Sequence, residues 1–111
     1  MECVFCKIVK KELPSDILYE DERFLAFKDI NPKAPIHILI IPKKHIPSFA
    51  EIEESDKEII GEMLFLAKKI AKEQGLAERG YRLIFNVGRE AGQTIPHLHL
   101  HLMGGKKLPF E

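Results

Sequence analysis

His97, His99 and His101 occupy alternate positions in the run His97-Leu98-His99-Leu100-His101-Leu102-Met103, and they are three of the chain's five histidines. Imidazole is the side chain whose ordinary pKa lies near neutrality, so it can serve as nucleophile, proton carrier or metal ligand. Strict alternation with leucine predicts a half-buried β-strand over 96–103, because successive side chains point to opposite faces. The leucines then enter the core and the imidazoles share the other face. Residues two apart on a strand are separated by about 6.6 Å, and residues four apart by about 13 Å. His97 and His101 therefore cannot readily converge on one ion, since Zn–N bonds are only about 2.0–2.1 Å. Chemistry at a central imidazole assisted by its neighbours fits better. A neutral imidazole attacks phosphorus well, and an imidazolium donates hydrogen bonds to phosphate oxygens. Closely spaced histidines also titrate as a coupled set. The plain alternative is an exposed histidine-rich strand or a satisfied core face, which explains one such residue more readily than three.

The rest of the chain supplies the elements that must position these groups. Its 111 residues, 45% apolar and 31% charged, suit one domain spanning 1–111. Basic and acidic residues balance at 17 each, so no charge excess recommends a nucleic-acid or membrane surface. No apolar run approaches the roughly 20 residues of a membrane span. The start Met1-Glu2-Cys3-Val4-Phe5 lacks a signal-peptide pattern, so a cytoplasmic location is expected. One Thr, two Asn and two Gln among many Lys and Glu lean towards a heat-adapted source. Helical spacing over 4–11 ends at Pro14-Ser15-Asp16. Runs 17–19 and 24–27 flank Glu20-Asp21-Glu22-Arg23 as a hairpin. Pro32 and Pro35 make 29–35 a loop. Run 36–41 is the most strand-like and stops at Pro42. Ser55-Asp56-Lys57-Glu58 reads as a capping box. It opens a long helix carrying Ile59, Ile60, Met63, Leu64, Ala67, Ile70 and Ala71, closed near Gly75. Residues 81–87 read as a strand, 88–92 as a loop, and Gly104-Gly105 as the stop after the histidines. Strands, then a helix, then strands predict an α+β domain with a mostly antiparallel sheet.

Three histidines alternating with apolar residues and followed by two more apolar positions resemble the motif of the histidine triad (HIT) nucleotide hydrolases and transferases. The resemblance extends over almost the whole chain. It includes Phe5-Cys6-Lys7-Ile8, Phe24-Leu25-Ala26-Phe27-Lys28-Asp29-Ile30, Ala34-Pro35-Ile36-His37-Ile38-Leu39-Ile40-Ile41-Pro42-Lys43-Lys44-His45, Asn86 and Gly92-Gln93-Thr94. It implies a HIT-like fold, an antiparallel sheet of about five strands with one long helix and a short N-terminal helix. It also implies a homodimer whose two sheets join into one. By resemblance His99 is the nucleophile that attacks the α-phosphate of a nucleotide, and water then releases the monophosphate. His101 and His37 are the imidazoles that contact phosphate oxygens. Gln93 and Thr94 match a polar pair near the phosphate and leaving group, with Gly92 in the same loop, and Asn86 a phosphate- or ribose-side contact. Asp29 matches the carboxylate that accepts from ribose hydroxyls, although by itself it equally suits an Asx-type turn. Phe5, Ile8, Leu13, Phe27 and Ile30 fall where the family builds its apolar base pocket, while by pattern alone they are core residues.

Cys3 and Cys6, the only cysteines, stand in a C-x-x-C spacing. Alone, such a pair is weak evidence for metal. It could also be a redox pair, but no thioredoxin-like strand precedes it, and a reducing compartment disfavours a disulfide. Some HIT proteins, and the related galactose-1-phosphate uridylyltransferases, bind structural zinc through such a pair and two histidines. The resemblance places those at His45 and His97. Without zinc, His97 is left to orient the strand and the cysteines are small buried residues.

Within the family, Gly104-Gly105, the Ala34-Pro35 segment before His37 and Pro42-Lys43-Lys44-His45 resemble the purine nucleoside phosphoramidase branch. Glu90-Ala91-Gly92-Gln93-Thr94 resembles the dinucleoside polyphosphate hydrolase branch. The favoured expectation is hydrolysis of adenosine 5′-phosphoramidate-like substrates. A non-catalytic nucleotide-binding regulator and a metallohydrolase using the histidines as ligands are the competing classes.

Overall fold

Two runs apolar at nearly every position form the centre of the fold. β2 (Phe24–Lys28) and β3 (Ile36–Pro42) run antiparallel, from Phe24 opposite Pro42 to Lys28 opposite Ile38. A strand without polar alternation needs cover on both faces, and both are covered in this computed structural model, which describes residues 3–109. Met1 and Glu2, part of the stretch read for a targeting signal, lie outside those residues. β1 (Ile17–Glu20) flanks β2, β5 (Leu100–Gly104) pairs with β3, and β4 (Arg82–Ile84) pairs with β5. The result is a five-stranded antiparallel sheet of order β1-β2-β3-β5-β4. The expected α+β class, with one long and one short helix, is what forms.

The long helix α2 (Lys57–Glu73) lies on one face. Its Ile59, Met63, Leu66, Ala67, Ile70 and Ala71 pack with Phe24, Ala26, Ile38, Ile40, Leu98, Leu100 and Leu102. Each large side chain so buried contributes roughly 1.5–3 kcal/mol. The short helix α1 (Val4–Val9) covers the other face, where Phe5 and Ile8 pack on Leu25, Phe27, Leu39 and Ile41. It covers only the β2 side, so the same face lies open over β5 and β4.

Three local expectations are corrected. Ser55 does not open a capping box: 54–56 is a turn of 3-10 helix, and Asp56 occupies the N-cap without a side-chain cap bond. The Asp56 carboxylate instead accepts Lys44 Nζ at 2.6 Å. The histidine strand begins at Leu100 rather than at Pro96, and runs through Gly104. The preceding backbone bonds elsewhere, with His97 N–H donating to Ile95 O and Leu98 N–H to Ile46 O. The strand expected over 81–87 is only Arg82–Ile84 for the same reason, since its pairing ends at Ile84 opposite His101. Gly75, at φ 78°, closes α2 as expected, in the left-handed region that glycine enters freely.

Gly105 sits at φ 98°, and a Cβ there would lie 2.9 Å from Pro35 Cβ. Gly105→Ala is expected to lower stability by about 1–3 kcal/mol, read as a lower urea midpoint. An unchanged midpoint would mean that the Pro35 loop yields without cost.

Candidate active site and metal-ligand cluster

The register of β3 and β5 sets Leu39 opposite His101 and His37 opposite Met103. His37 and His101 therefore stand diagonally on one face, the face that α1 leaves open. Their ring centroids are 5.2 Å apart, and His37 Nε2 lies 2.9 Å from His101 Nδ1. The backbone N–H of Lys33 donates to His37 Nδ1 at 3.0 Å. An imidazole nitrogen that accepts cannot also carry the proton, so the neutral His37 ring holds its proton on Nε2. That proton faces His101 Nδ1 and Asp29 Oδ2, the latter 3.3 Å away. His101 accepts at Nδ1 and so carries its own N–H on Nε2; Asn86 Nδ2, 3.4 Å away, is also a donor, so the pair bonds only with the Asn86 amide turned to present Oδ1.

His99 is fixed differently. Its Nδ1 lies 2.7 Å from the His97 carbonyl oxygen. A carbonyl only accepts, so Nδ1 bears the proton and Nε2 bears the lone pair. The His99 ring stands 5.0 Å from that of His101 and 5.2 Å from that of Phe5, both edge-on.

These groups line a cleft of about 1470 Å³. Of the residues singled out from sequence, His37, His99, His101, Asp29, Asn86, Gly92 and Thr94 line it, as do Phe5, Ile8, Leu13, Phe27 and Ile30. Leu13 and Ile30 are not core residues; Ile30 is 90% exposed at the rim. Asp29 forms the Asx-type turn, with Oδ1 accepting Asn31 N–H, and its Oδ2 faces His37 within the cleft. Gln93 is not among the lining residues. Its amide accepts Gly88 N–H and donates to Pro47 O and Ile95 O, bracing the loop from behind. The sequence reading missed Arg82, Ile84 and Met103, which line the cleft on its β4 side. Met103 continues the alternation of His99 and His101 by one step, and that signal was present.

Burial holds His37 and His101 neutral. The pKa of His101 falls from 6.5 to about 4, through burial first and then through His99 and His37, with Asp29 opposing. Burial also lowers that of His37, with Lys33 adding to the fall and Asp29 opposing it.

A second cluster lies beside the first. Ligand atoms of Cys3, Cys6, His45 and His97 all fall within 4.8 Å of one another. His97 Nδ1 is 3.2 Å from Cys3 Sγ, 3.6 Å from Cys6 Sγ and 3.2 Å from His45 Nδ1, and His45 Nδ1 is 3.2 Å from Cys6 Sγ. A tetrahedral zinc with ordinary bond lengths sets N···N at about 3.3 Å and S···N at about 3.6 Å, so the donor set and its spacing fit zinc. His97 Nε2–H donates to Pro42 O at 2.8 Å, which leaves Nδ1 as the donor atom. Burial brings the pKa of His97 down to about 4, the neutral form a metal requires. Asp29, His37 and His101 also converge. A metal on His37 Nε2 would move the ring proton to Nδ1, 3.0 Å from another donor, the Lys33 N–H. That trio suits hydrogen bonding and proton handling better than a cation.

A family model described as scavenger mRNA decapping enzyme C-term binding matches residues 2–109. A protein of Escherichia coli (strain K12) named purine nucleoside phosphoramidase is 48% identical over 107 residues, covering 96% of this chain and 90% of its own. A HIT family hydrolase of Legionella pneumophila Philadelphia 1 superposes with a TM-score of 0.96 at 48% identity, covering 98% of this chain and 97% of its own. A histidine triad protein of Clostridium difficile gives a TM-score of 0.96 at 48% identity, covering 100% of this chain and 96% of its own.

The depressed pKa of His101 links stability to pH. Between 6.5 and about 4 the unfolded chain binds a proton at this residue and the folded chain does not. This contribution is therefore fully present above pH 6.5 and is lost as the pH falls towards 4. The urea midpoint is expected to drop between about pH 7.5 and about pH 5, and to drop less in His101→Asn. Equal drops in the two proteins would remove His101 as the source.

Proposed function

The chain belongs to the histidine triad (HIT) family, and from that footing we propose that it is a nucleotide hydrolase cleaving purine nucleoside 5′-phosphoramidates through a covalent nucleotidyl-His99 intermediate. The observation that carries this reading is the tautomer of His99: Nδ1–H is bound to the His97 carbonyl, so the Nε2 lone pair is available for attack. The name of the Escherichia coli relative supports the phosphoramidate substrate.

In the first step His99 Nε2 forms a bond to the α-phosphorus and the bond from phosphorus to the leaving nitrogen breaks. The leaving amine needs a proton. A bound phosphate favours the protonated form of a nearby imidazole, so His101 takes up a proton as substrate binds and passes Nε2–H to the leaving nitrogen. The added proton sits on His101 Nδ1, so His37 Nε2–H, which donates there without substrate, turns to Asp29 Oδ2. In the second step water attacks the same phosphorus and gives its proton to His101. The bond between phosphorus and Nε2 breaks, nucleoside monophosphate departs, and His99 is regenerated. Two displacements at a positioned imidazole replace one harder one. Asp29 receives the ribose hydroxyls, and Asn86, Gly92 and Thr94 line the phosphate end. Phe5, Ile8, Leu13, Phe27 and Ile30 enclose the base. Gln93 contributes by holding the loop rather than by contact.

We assign a structural zinc ion to Cys3, Cys6, His45 and His97; when bound it would cross-link α1 to the segment that carries His99. β4 is an outer strand of the sheet among the described residues, and that edge, with Phe65 of α2 74% exposed, supports a homodimer with one continuous sheet. No helix among the described residues is long and apolar enough to cross a membrane. We place the chain in the cytoplasm as one HIT domain, 1–111.

His99→Ala is expected to lower turnover of an adenosine phosphoramidate by about 10³-fold or more, and brief reaction of the intact enzyme should leave a nucleotidyl adduct on His99 by mass spectrometry. An unaltered rate would sink the nucleophile assignment and favour a regulator. Faster turnover of dinucleoside polyphosphates than of phosphoramidates would move the chain to the other branch. Native mass spectrometry should find two chains and two zinc ions per particle, and Cys6→Ser should lose the metal. A metal-free wild-type protein, or a monomer, would remove the corresponding assignment.

A further inference from the structure

We propose that Phe5 is a positioning residue for the chemistry: its ring, carried between the two cysteines of the ligand cluster, holds the His99 imidazole so that Nε2 faces the cleft. The proposal rests on His99 being the attacking group. It goes further in saying what orients that group.

His99 needs such a restraint. It lies just before β5, which begins at Leu100, so no ladder of strand hydrogen bonds braces its backbone. Among the described residues its ring makes one directional bond, from Nδ1–H to the His97 carbonyl. Rotation about Cβ–Cγ would break that bond and turn Nε2 out of place. Phe5 blocks the rotation. It is buried, and its ring meets His99 edge-on at 5.2 Å and 85°. It meets His97 at 5.8 Å and 74°, and rests on Phe27 at 5.5 Å and 71°. Edge-to-face packing of this kind has a preferred geometry and resists ring rotation.

Phe5 is itself held by the cluster. α1 is only six residues long, too short to be stable by its own hydrogen bonds. Its N-terminus is capped by Cys3, whose Sγ accepts Cys6 N–H and lies 3.2 Å from His97 Nδ1. Cys6 Sγ lies 3.2 Å from His45 Nδ1. In the order Cys3-Val4-Phe5-Cys6 the aromatic residue sits between two anchored neighbours. One cluster thus restrains His99 twice, through the His97 carbonyl and through the ring of Phe5.

The test uses nitrogen-15 spectra of the histidine side chains in the metal-loaded protein, together with single-turnover nucleotidylation. The wild type should show His99 in one tautomer, protonated at Nδ1. Phe5→Leu keeps the apolar contact but removes the ring edge. It should average the two tautomers and slow nucleotidylation at saturating substrate about tenfold, a loss in rate beyond any loss of affinity for unreactive adenosine monophosphate. Ile8→Ala, from the same helix and cleft wall, should weaken nucleotide binding and leave the tautomer intact. His45→Gln loosens the cluster away from the cleft and should reproduce the averaged tautomer, a readout that survives if Phe5→Leu fails to fold. A single tautomer in Phe5→Leu with a loss only in affinity would make Phe5 a cleft wall and overturn the proposal. An unchanged His99 spectrum in His45→Gln would break the link to the cluster and overturn it equally. Failure of His99 as nucleophile would appear separately, as an adduct elsewhere with these spectra unaltered.

Discussion

The buried imidazole of His97 is the interaction on which the rest of the site depends. It is wholly inaccessible to solvent, where an unpaired polar atom would cost several kcal/mol, yet both its nitrogens are engaged. Nε2–H reaches the Pro42 carbonyl at the end of β3, and Nδ1 turns to Cys3, Cys6 and His45. Its own carbonyl takes the proton of His99. Three stretches far apart in sequence therefore meet at one ring: the N-terminal turn, the end of the central strand, and the segment leading into β5. The members of the triad are not equivalent. His97 is a fastener, and the open face begins only at His99.

The second constraint is the direction of the hydrogen bonds across that face. A backbone amide, Lys33 N–H, meets His37 Nδ1, and this one donor sets the polarity of everything after it. His37 must donate from Nε2, His101 must accept at Nδ1, and the proton of His101 must stand on the cleft side. Burial keeps both rings neutral without substrate. A low-dielectric site of this kind gains most from a phosphate, whose charge reverses the cost of protonation. The two ends of the cleft differ in character for a simple reason. α1 covers the β2 side with Phe5 and Ile8, while the β4 side is left to Ile84, Arg82 and Met103.

Pattern along the chain gives way where hydrogen bonds compete with it. Alternation put Leu98, Leu100 and Leu102 in the core and the histidines opposite, and the packing agrees. Alternation also suggested a strand from Pro96, but side-chain period reports which face a residue takes, not whether its backbone has a partner strand. Leu98 N–H goes to Ile46 O, so the strand starts later. Ser55 and Glu58 had the spacing of a capping box, yet Asp56 took the N-cap because the chain enters α2 through a 3-10 turn beside Lys44. The family resemblance set Gln93 near the phosphate, but its amide is taken up by backbone groups of Gly88, Pro47 and Ile95.

Read alone, the sequence carries the class of fold, the face on which His99 and His101 stand, and most of the apolar residues that α1 and α2 bury; Val4 and Leu64 are exposed instead, and Leu66 takes a core place that the period did not assign. The sequence owes this to period and composition, which act locally and need no knowledge of distant partners. It also carried the family motif, and with it the candidate roles of His37, His99 and His101. Only the tertiary structure decided which nitrogen of each ring holds the proton, because that depends on a carbonyl at His97 and an amide at Lys33 brought in by folding. Only the tertiary structure brought Cys3 and Cys6 to His45 and His97, across up to 94 positions of chain. Long-range convergence is set by how the sheet and helices pack, and no periodicity along the chain encodes it.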